Sequence, residues 1–247
     1  MTPENIAQLF ARLAAANPEP QTELIHHNPY TLLVAVVLSA QATDASVNRA
    51  TAALFAQADT PAAMLRLGEE NLKAAIRSLN YNATKARNVI RLSEILLHAH
   101  DGLVPHNREA LEALPGVGRK TANVVLNVVF GEPTIAVDTH IFRVANRTGI
   151  APGNTPLAVE QELLRVVPDP WRLHAHHWLI LHGRYVCKAR RPECAACRIA
   201  DLCAFPGRTP AAATGISEPT VTAPPPDKAD APPEKRRRKR NKAVSVA

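Results

Sequence analysis

The sequence has few aromatic residues, no long uninterrupted hydrophobic run and no segment with the alternating pattern of a half-buried strand. No apolar run approaches the ~20 residues that a membrane-spanning helix needs, so a membrane protein is not expected. The opening residues, MTPENIAQLF, lack a basic region followed by an apolar one, which argues against a secretion signal. Because alternation is missing, a sheet protein is also excluded.

Cysteine is absent from most of the chain and concentrated near its end. All four cysteines fall in the pattern Cys-x6-Cys-x2-Cys-x5-Cys, at Cys187, Cys194, Cys197 and Cys203. A disulfide scaffold would spread them through the chain, so this clustering favours metal binding. Structural zinc usually takes two tight cysteine pairs, and only one is present, while four thiolates in a compact loop also suit a [4Fe–4S] cluster. The spacing alone leaves both metals open.

The net charge of +7 is unevenly distributed. Positions 205–247 hold nine Lys or Arg and four Asp or Glu, which leaves 20 basic and 18 acidic residues in positions 1–204. The segment 205–247 is rich in Pro, Ala and Thr, so we expect a disordered basic tail. Its cationic run, Lys235 to Arg240, either only solubilises the protein or contacts DNA transiently. Any nucleic-acid affinity of the remainder must come from a local patch.

The chain is predicted to be helical nearly throughout. Thr2 can cap a first helix that has Pro3 at its first position. The segment Tyr30 to Ala40 is apolar on all sides, which indicates a central buried helix. Thr43 is predicted to cap the next helix, with Val47, Ala50, Ala53 and Leu54 facing inward. Further helical periodicity occurs in residues 83–100, 138–148, 155–166 and 171–186, and a short helix is expected after Thr60.

The stretch Leu114 to His140 organises the rest of the chain. It opens with a glycine turn, in which Gly116 and Gly118 flank Val117 and permit positive φ and close approach of another backbone. A short helix before the turn and a longer one starting at Arg119 make a helix-hairpin-helix at about residues 108–127. The unpaired N–H groups of the second helix and its dipole form an anion site, so we expect this motif to bind a nucleic-acid phosphate.

Two polar residues of this stretch allow more than one interpretation. Lys120 could simply contact a phosphate, or its uncharged amine could attack the C1′ carbon of a sugar. Asp138 suits a helix N-cap, but a carboxylate could also stabilise the positive charge that develops on a sugar when its base departs. The local sequence does not choose between these roles.

The motifs LPGVGRKTANVVLN and VDTHIFRVANR closely resemble the endonuclease III branch of the helix-hairpin-helix DNA glycosylases, and the resemblance runs from about Asn5 to Cys203. It implies an all-α fold of two domains with the DNA groove between them. A six-helix barrel of residues 22–132 would carry the hairpin, and residues 1–21 with 133–204 would form the second domain, which holds the cysteine loop. The 6-2-5 spacing of the cysteines implies that their cofactor is a [4Fe–4S] cluster.

The resemblance also implies a bifunctional base excision repair enzyme. Its N-glycosylase activity would release oxidised pyrimidines from double-stranded DNA through a Schiff base on Lys120, with Asp138 as the acidic partner. Its lyase activity would cleave 3′ to the abasic site by β-elimination. Such an enzyme is expected to be a monomer without a membrane partner, of bacterial cytoplasmic type, associated with the nucleoid and not secreted.

Further DNA contacts are expected on both sides of the lesion. By resemblance Gln41 fills the gap that a flipped base leaves, and Tyr81 stands where relatives often carry Leu as a second wedge. The hairpin residues Gly116, Val117, Gly118 and Arg119 are expected to bind the backbone. Lys188, Arg190 and Arg191 make the cysteine loop basic, so this loop either contacts phosphates or is merely solvated.

Two other functions remain possible at this stage. One is a monofunctional adenine-type DNA glycosylase, although that branch generally lacks Lys120 and carries a folded C-terminal domain that the tail here cannot form. The other is a catalytically idle DNA-binding or electron-relay module, against which the joint presence of Lys120 and Asp138 argues.

Overall fold

A computed structural model describes residues 1–207 of the chain, and helices account for nearly all the regular structure of these residues. No strand occurs in this range, which confirms the predicted all-α class. The helices are α1 (Pro3–Ala16), α2 (Pro29–Leu38), α3 (Asp44–Phe55), α4 (Pro61–Leu67), α5 (Glu69–Ala75), α6 (Asn82–Ala99), α7 (Arg108–Glu112), α8 (Arg119–Phe130), α9 (Thr139–Thr148), α10 (Pro156–Val166) and α11 (Asp169–Tyr185).

Local signals explain where most of these helices begin. The side chains of Thr2, Thr43 and Thr60 accept hydrogen bonds from first-turn backbone N–H groups, as predicted. Helix α2 has a capping box between Asn28 and Thr31. Two expectations were wrong or incomplete. Ala53 is exposed rather than inward-facing, and the short helix α5 was not predicted.

Helix α2 is the centre of the first hydrophobic core. Its residues from Tyr30 to Leu38 are all buried, which confirms the predicted central helix. Helices α3, α6 and α8 pack against it. The Tyr30 hydroxyl lies 2.7 Å from the Ser93 Oγ, and burial raises the pKa of this phenol. The core contains buried apolar side chains from Leu24 to Leu126, together with Ala136.

A second core joins α1 to α9, α10 and α11. Phe10, Trp171 and Trp178 pack within it, and the Trp178 indole donates a 2.8 Å hydrogen bond to the Asn17 carbonyl. Helices α9 and α11 approach closely at Gly183, where a Cβ atom would lie 2.9 Å from the His140 Cβ. We propose that the two cores are the two predicted domains, but the division at residues 132 and 133 stays a prediction.

Polar side chains tie the two cores together. The Asn127 amide on α8 donates to the carbonyls of Glu132 and Leu173 at 2.9 Å, so it joins the end of α8 to α11. The Arg184 guanidinium on α11 forms ion pairs with Glu23 and with Asp44 at the start of α3. These contacts fix the relative position of the cores and leave an open cavity between them.

The predicted disordered tail lies outside the described residues from position 208 onward. Its first residues behave differently from the prediction, because the Arg147 guanidinium lies 4.6 Å from the centre of the Phe205 ring. Phe205, beyond the last cysteine, therefore packs against α9. We attribute this to a cation–π contact, which the composition of the segment did not reveal.

Candidate active site

A cavity of about 580 Å³ opens between the two cores. The first core contributes Val36 and Val124 to its wall, and the second contributes Phe142 and Ile180. The cavity is also lined by polar residues: Asp44, Lys120, Asp138, His140, His176 and Arg184. A pocket with apolar walls and a few convergent polar groups is the usual form of a ligand or active site.

The structure brings Lys120 and Asp138 together in this cavity. The Lys120 Nζ lies 3.9 Å from the Asp138 Oδ2, with the lysine side chain 52% exposed and the aspartate 11% exposed. Asp138 also caps α9, because its Oδ1 accepts the backbone N–H groups of His140 at 2.8 Å and Ile141 at 2.9 Å. Asp138 thus caps α9 with Oδ1 and faces Lys120 with Oδ2. The cap fixes the carboxylate, and Lys120 keeps an accessible amine.

His176 is a buried neutral wall of the same cavity. Burial lowers its pKa well below the ordinary value, and the nearby His177, Lys120 and Arg184 lower it further. The amine of Lys120 and the guanidinium of Arg184 are cations that face the same cavity. No charge from this histidine competes with the Lys120–Asp138 pair.

The hairpin turn between α7 and α8 differs from the prediction in two details. Gly116 has a φ of +80°, as expected, but Gly118 is extended with a φ of −104°, so only the first glycine uses the left-handed region. The Val117 N–H donates to the Leu114 carbonyl at 3.0 Å, so it is not available to a phosphate. Helix α8 has no side-chain cap, and its first-turn N–H groups, together with Gly118, remain the candidate anion site.

Arg119 has a partner that the sequence did not indicate. Its Nε and Nη2 atoms donate to both oxygens of Glu160 on α10, at 2.8 to 3.2 Å. The hydrogen bonds to Glu160 raise the pKa of the guanidinium, and the charge of the same carboxylate raises it further. Arg119, which was expected to bind the DNA backbone, is therefore also part of an ion pair between the two cores.

Gln41 and Tyr81 lie on neighbouring exposed loops. Both have left-handed backbone conformations, with φ of 53° and 57°, which is uncommon for residues other than glycine. The Asn80 amide donates to the Gln41 carbonyl at 3.3 Å and joins the two loops. A groove of about 430 Å³, lined by residues 41–43, 46 and 78–80, separates them. Strain of this kind concentrates at functional sites, and the surrounding structure maintains it.

The cysteine loop encloses a second, small cavity. All four cysteines line this space of about 20 Å³, and His182 lies beside them with its Nε2 3.8 Å from the Cys197 Sγ. Within residues 1–207, no three or more His, Cys, Asp or Glu side chains are placed as ligands of one metal ion. The four cysteines therefore line one space.

The basic residues of the cysteine loop are not equivalent. The Lys188 Nζ pairs with Glu193 at 3.0 Å, while Arg190 and Arg191 are exposed. The Arg147 guanidinium on α9 donates to the carbonyls of Lys188 and Ala189 at 2.8 and 2.7 Å, which holds the loop against α9.

Comparisons with known proteins agree with this geometry. Residues 34–169 match the family described as HhH-GPD superfamily base excision DNA repair protein. The chain is 59% identical to endonuclease III of Escherichia coli K12 over 198 residues, which is 80% of this chain and 94% of the relative. It is 60% identical to endonuclease III of Treponema pallidum over 200 residues, which is 81% of this chain and 95% of the relative.

This chain belongs to the endonuclease III family. Family membership confirms the prediction of a base excision repair enzyme with DNA glycosylase and abasic-site lyase activity. A trapped covalent intermediate of an endonuclease III with DNA has a TM-score of 0.76 and 44% identity, covering 82% of this chain and 96% of that one. A non-covalent endonuclease III–DNA complex has a TM-score of 0.77 and 43% identity, covering 82% and 95%. None of the helices within residues 1–207 is long and apolar enough to cross a membrane.

Several residues of the site were not predicted from the sequence. Glu160 carries no motif of its own, and His176 lies in a segment that reads as an ordinary helix. The two arginines of VDTHIFRVANR did offer a signal, because Arg143 and Arg147 stand four residues apart and face one side of α9. Both donate hydrogen bonds to backbone carbonyls at the start of the cysteine loop.

Proposed function

We propose that this protein releases oxidised pyrimidines from double-stranded DNA with Lys120 as nucleophile and Asp138 as its acidic partner. The observation that carries the proposal is the approach of the two side chains to 3.9 Å at the wall of the cavity between the cores. Chemistry on a nucleotide requires that the base leaves the stack, and the cavity is the space in which it would be received.

The steps follow from the chemistry of an amine and a carboxylate. The Lys120 lone pair attacks C1′, the bond from C1′ to the base nitrogen breaks, and the base leaves with the electron pair and takes up a proton. Asp138 Oδ2 faces the Lys120 amine and can accept its proton. The C1′–O4′ bond of the sugar then breaks, O4′ takes up a proton, and the imine forms between C1′ and the lysine nitrogen. The imine acidifies the C2′ hydrogen, whose removal expels the 3′ phosphate and cuts the strand. A fixed carboxylate also stabilises the positive charge that develops on the sugar.

The residues proposed to contact DNA lie around this cavity. Gly118 and the first-turn N–H groups of α8 would bind a backbone phosphate, and Gly116 shapes the turn that presents them. Gln41 and Tyr81 are exposed on neighbouring loops, where they would fill the gap and stack on the unpaired base. Arg190 and Arg191 would extend the phosphate contact, while Lys188, which is paired with Glu193, would contribute less charge. The chain is proposed to act as a monomer on the bacterial nucleoid in the cytoplasm.

The cysteine cavity supports a [4Fe–4S] cluster held by Cys187, Cys194, Cys197 and Cys203. A structural zinc is usually held by two tight cysteine pairs, and only Cys194 and Cys197 form such a pair. The four cysteines that line one space instead supply the four thiolates of a [4Fe–4S] cluster. When bound, the cluster would supply an electron-transferring centre that also holds the loop. Purified protein should contain about four iron atoms and four sulfides per chain, and stoichiometric zinc would refute this assignment.

Borohydride reduction in the presence of abasic double-stranded DNA tests the proposed chemistry. The wild type should form a covalent adduct, and Lys120→Ala should abolish it because the imine nitrogen is lost. The matched control is Lys73→Ala, which removes a partly exposed lysine of α5 that pairs with Glu70. This variant should form the adduct as the wild type does. Release of a base from a duplex that still carries it, without an adduct on abasic DNA, would favour the monofunctional glycosylase. DNA binding with neither product would favour a non-catalytic module.

A further inference from the structure

Two consecutive cations at the start of α8 pair with two different helices of the second core. Arg119 meets Glu160 on α10, and Lys120 meets Asp138 at the start of α9. Successive residues of an α-helix point about 100° apart, so the two pairs restrain both the rotation of α8 about its axis and its distance from the second core.

The Arg119–Glu160 pair has the features of a fixed attachment. Glu160 is only 4% exposed, and Val159 and Leu163 on either side of it belong to the second core. In the described part of the chain, three hydrogen bonds between 2.8 and 3.2 Å join its carboxylate to Arg119. A buried carboxylate without a partner is strongly unfavourable, and a bidentate guanidinium pair constrains geometry in a way that a lysine cannot.

The Lys120–Asp138 contact lacks such constraint of its own. Its atoms are 3.9 Å apart and the lysine side chain is 52% exposed. Asp138 is held by its two cap hydrogen bonds to α9, so the position of the carboxylate depends on α9. Helix α10, which carries Glu160, packs against α9. The carboxylates of Glu160 and Asp138 therefore belong to one frame, and Arg119 attaches α8 to it.

We propose that Glu160 is a positioning residue for catalysis, which holds the first turn of α8 through Arg119 so that the Lys120 amine meets Asp138 and the substrate sugar. This inference rests on the proposed role of Lys120. Without Glu160 the first turn of α8 would lose its attachment to the second core, and a misplacement of about 1 Å can slow a reaction by about 100-fold.

Because Glu160 is charged, its proposed positioning role can be distinguished from an electrostatic role and from a purely structural one. Glu160→Gln removes a negative charge beside the proposed DNA surface and releases the Arg119 cation, so DNA affinity should stay the same or increase. Loss of positioning should instead lower the single-turnover rate by about 10- to 100-fold. A merely structural loss would lower stability, affinity and rate together.

The experiment compares Glu160→Gln with Glu162→Gln. Glu162 lies on the same helix and forms an exposed ion pair with Arg165, without contact to α8, so it is a matched control. Single-turnover borohydride trapping on abasic DNA, DNA affinity by fluorescence anisotropy and thermal unfolding are measured for both. We expect slow trapping with undiminished affinity for Glu160→Gln and wild-type behaviour for Glu162→Gln. An unchanged trapping rate for Glu160→Gln, or parallel losses of rate and affinity, would overturn the inference.

Two further measurements keep the test decisive. If Glu160→Gln does not fold, the charge-exchanged variant Arg119→Glu with Glu160→Arg restores the pair, and it should trap faster than Arg119→Glu alone. In a crystal structure of a folded Glu160 variant, the Lys120 Nζ should lie farther than 3.9 Å from the Asp138 Oδ2. An unchanged separation would contradict the positioning role whatever the activity, whereas a wild type that forms no adduct would refute the proposed function instead.

Discussion

Replacing Gly116 with alanine should destabilise this protein, whereas the same change at Gly118 should not. Gly116 has a φ of +80°, and an added Cβ would lie 2.9 Å from the Asn88 Nδ2 and 3.2 Å from the Val37 Cγ1. Gly118 has a φ of −104°, and its Cβ would meet no atom within 4 Å. The two glycines are two residues apart in one turn, so each is the control for the other.

The expected magnitude follows from these environments. A residue with a Cβ in the left-handed region costs about 1–2 kcal/mol, and crowding against α2 and α6 adds about 1–3 kcal/mol. Gly116→Ala should therefore lower the free energy of unfolding by about 2–5 kcal/mol, or the melting temperature by about 4–20 °C for a chain of this size. Gly118→Ala should be neutral or stabilising by up to about 1 kcal/mol, because alanine restricts the unfolded chain.

Thermal and urea unfolding, followed by circular dichroism, measure the first effect, and anisotropy with labelled duplex DNA measures the second. Gly118→Ala should weaken DNA binding although it does not weaken the fold, because its Cβ projects where the phosphate would approach α8. Equal destabilisation by the two substitutions, or a larger loss at Gly118, would refute the assignment of packing to Gly116 and DNA contact to Gly118.

Three other outcomes are expected. Burial lowers the pKa of His177 to about 4, so the unfolded chain binds a proton at this histidine before the folded chain does. The free energy of unfolding should therefore fall by up to about 3 kcal/mol as the pH drops from about 6.5 to 4. Urea titrations should show that this free energy depends less on pH in His177→Phe than in His174→Phe. Asn127→Ala leaves buried carbonyls unpaired and should cost about 2–4 kcal/mol by chemical denaturation, whereas the exposed Asn71→Ala should cost under about 1 kcal/mol. Tyr81→Ala should slow base release by about 10-fold because stacking is lost, whereas Tyr81→Phe should not. Equal rates of base release for Tyr81→Ala and the wild type in a glycosylase time course would contradict the wedge role.

Local sequence signals predicted the secondary structure well because they act over a few residues. Threonine followed by proline marks the starts of α4 and α10, and the apolar run after Asn28 marks α2 as a buried helix. The facing of individual side chains was less predictable. Ala53 fits the inward periodicity of α3 yet is exposed, because alanine suits either environment and only the neighbouring helices determine which side is covered.

The sequence by itself determined the helical class, the hairpin, the cysteine loop and the family, since each is written in residues that are close together in the chain. Only the tertiary structure decided which of these residues meet. Asp138 reaches Lys120 across 18 positions and Glu160 reaches Arg119 across 41, in both cases because the second core packs beside α8. Such pairings depend on the packing of whole helices, which brings distant residues into contact, and no local pattern of residue types specifies that arrangement.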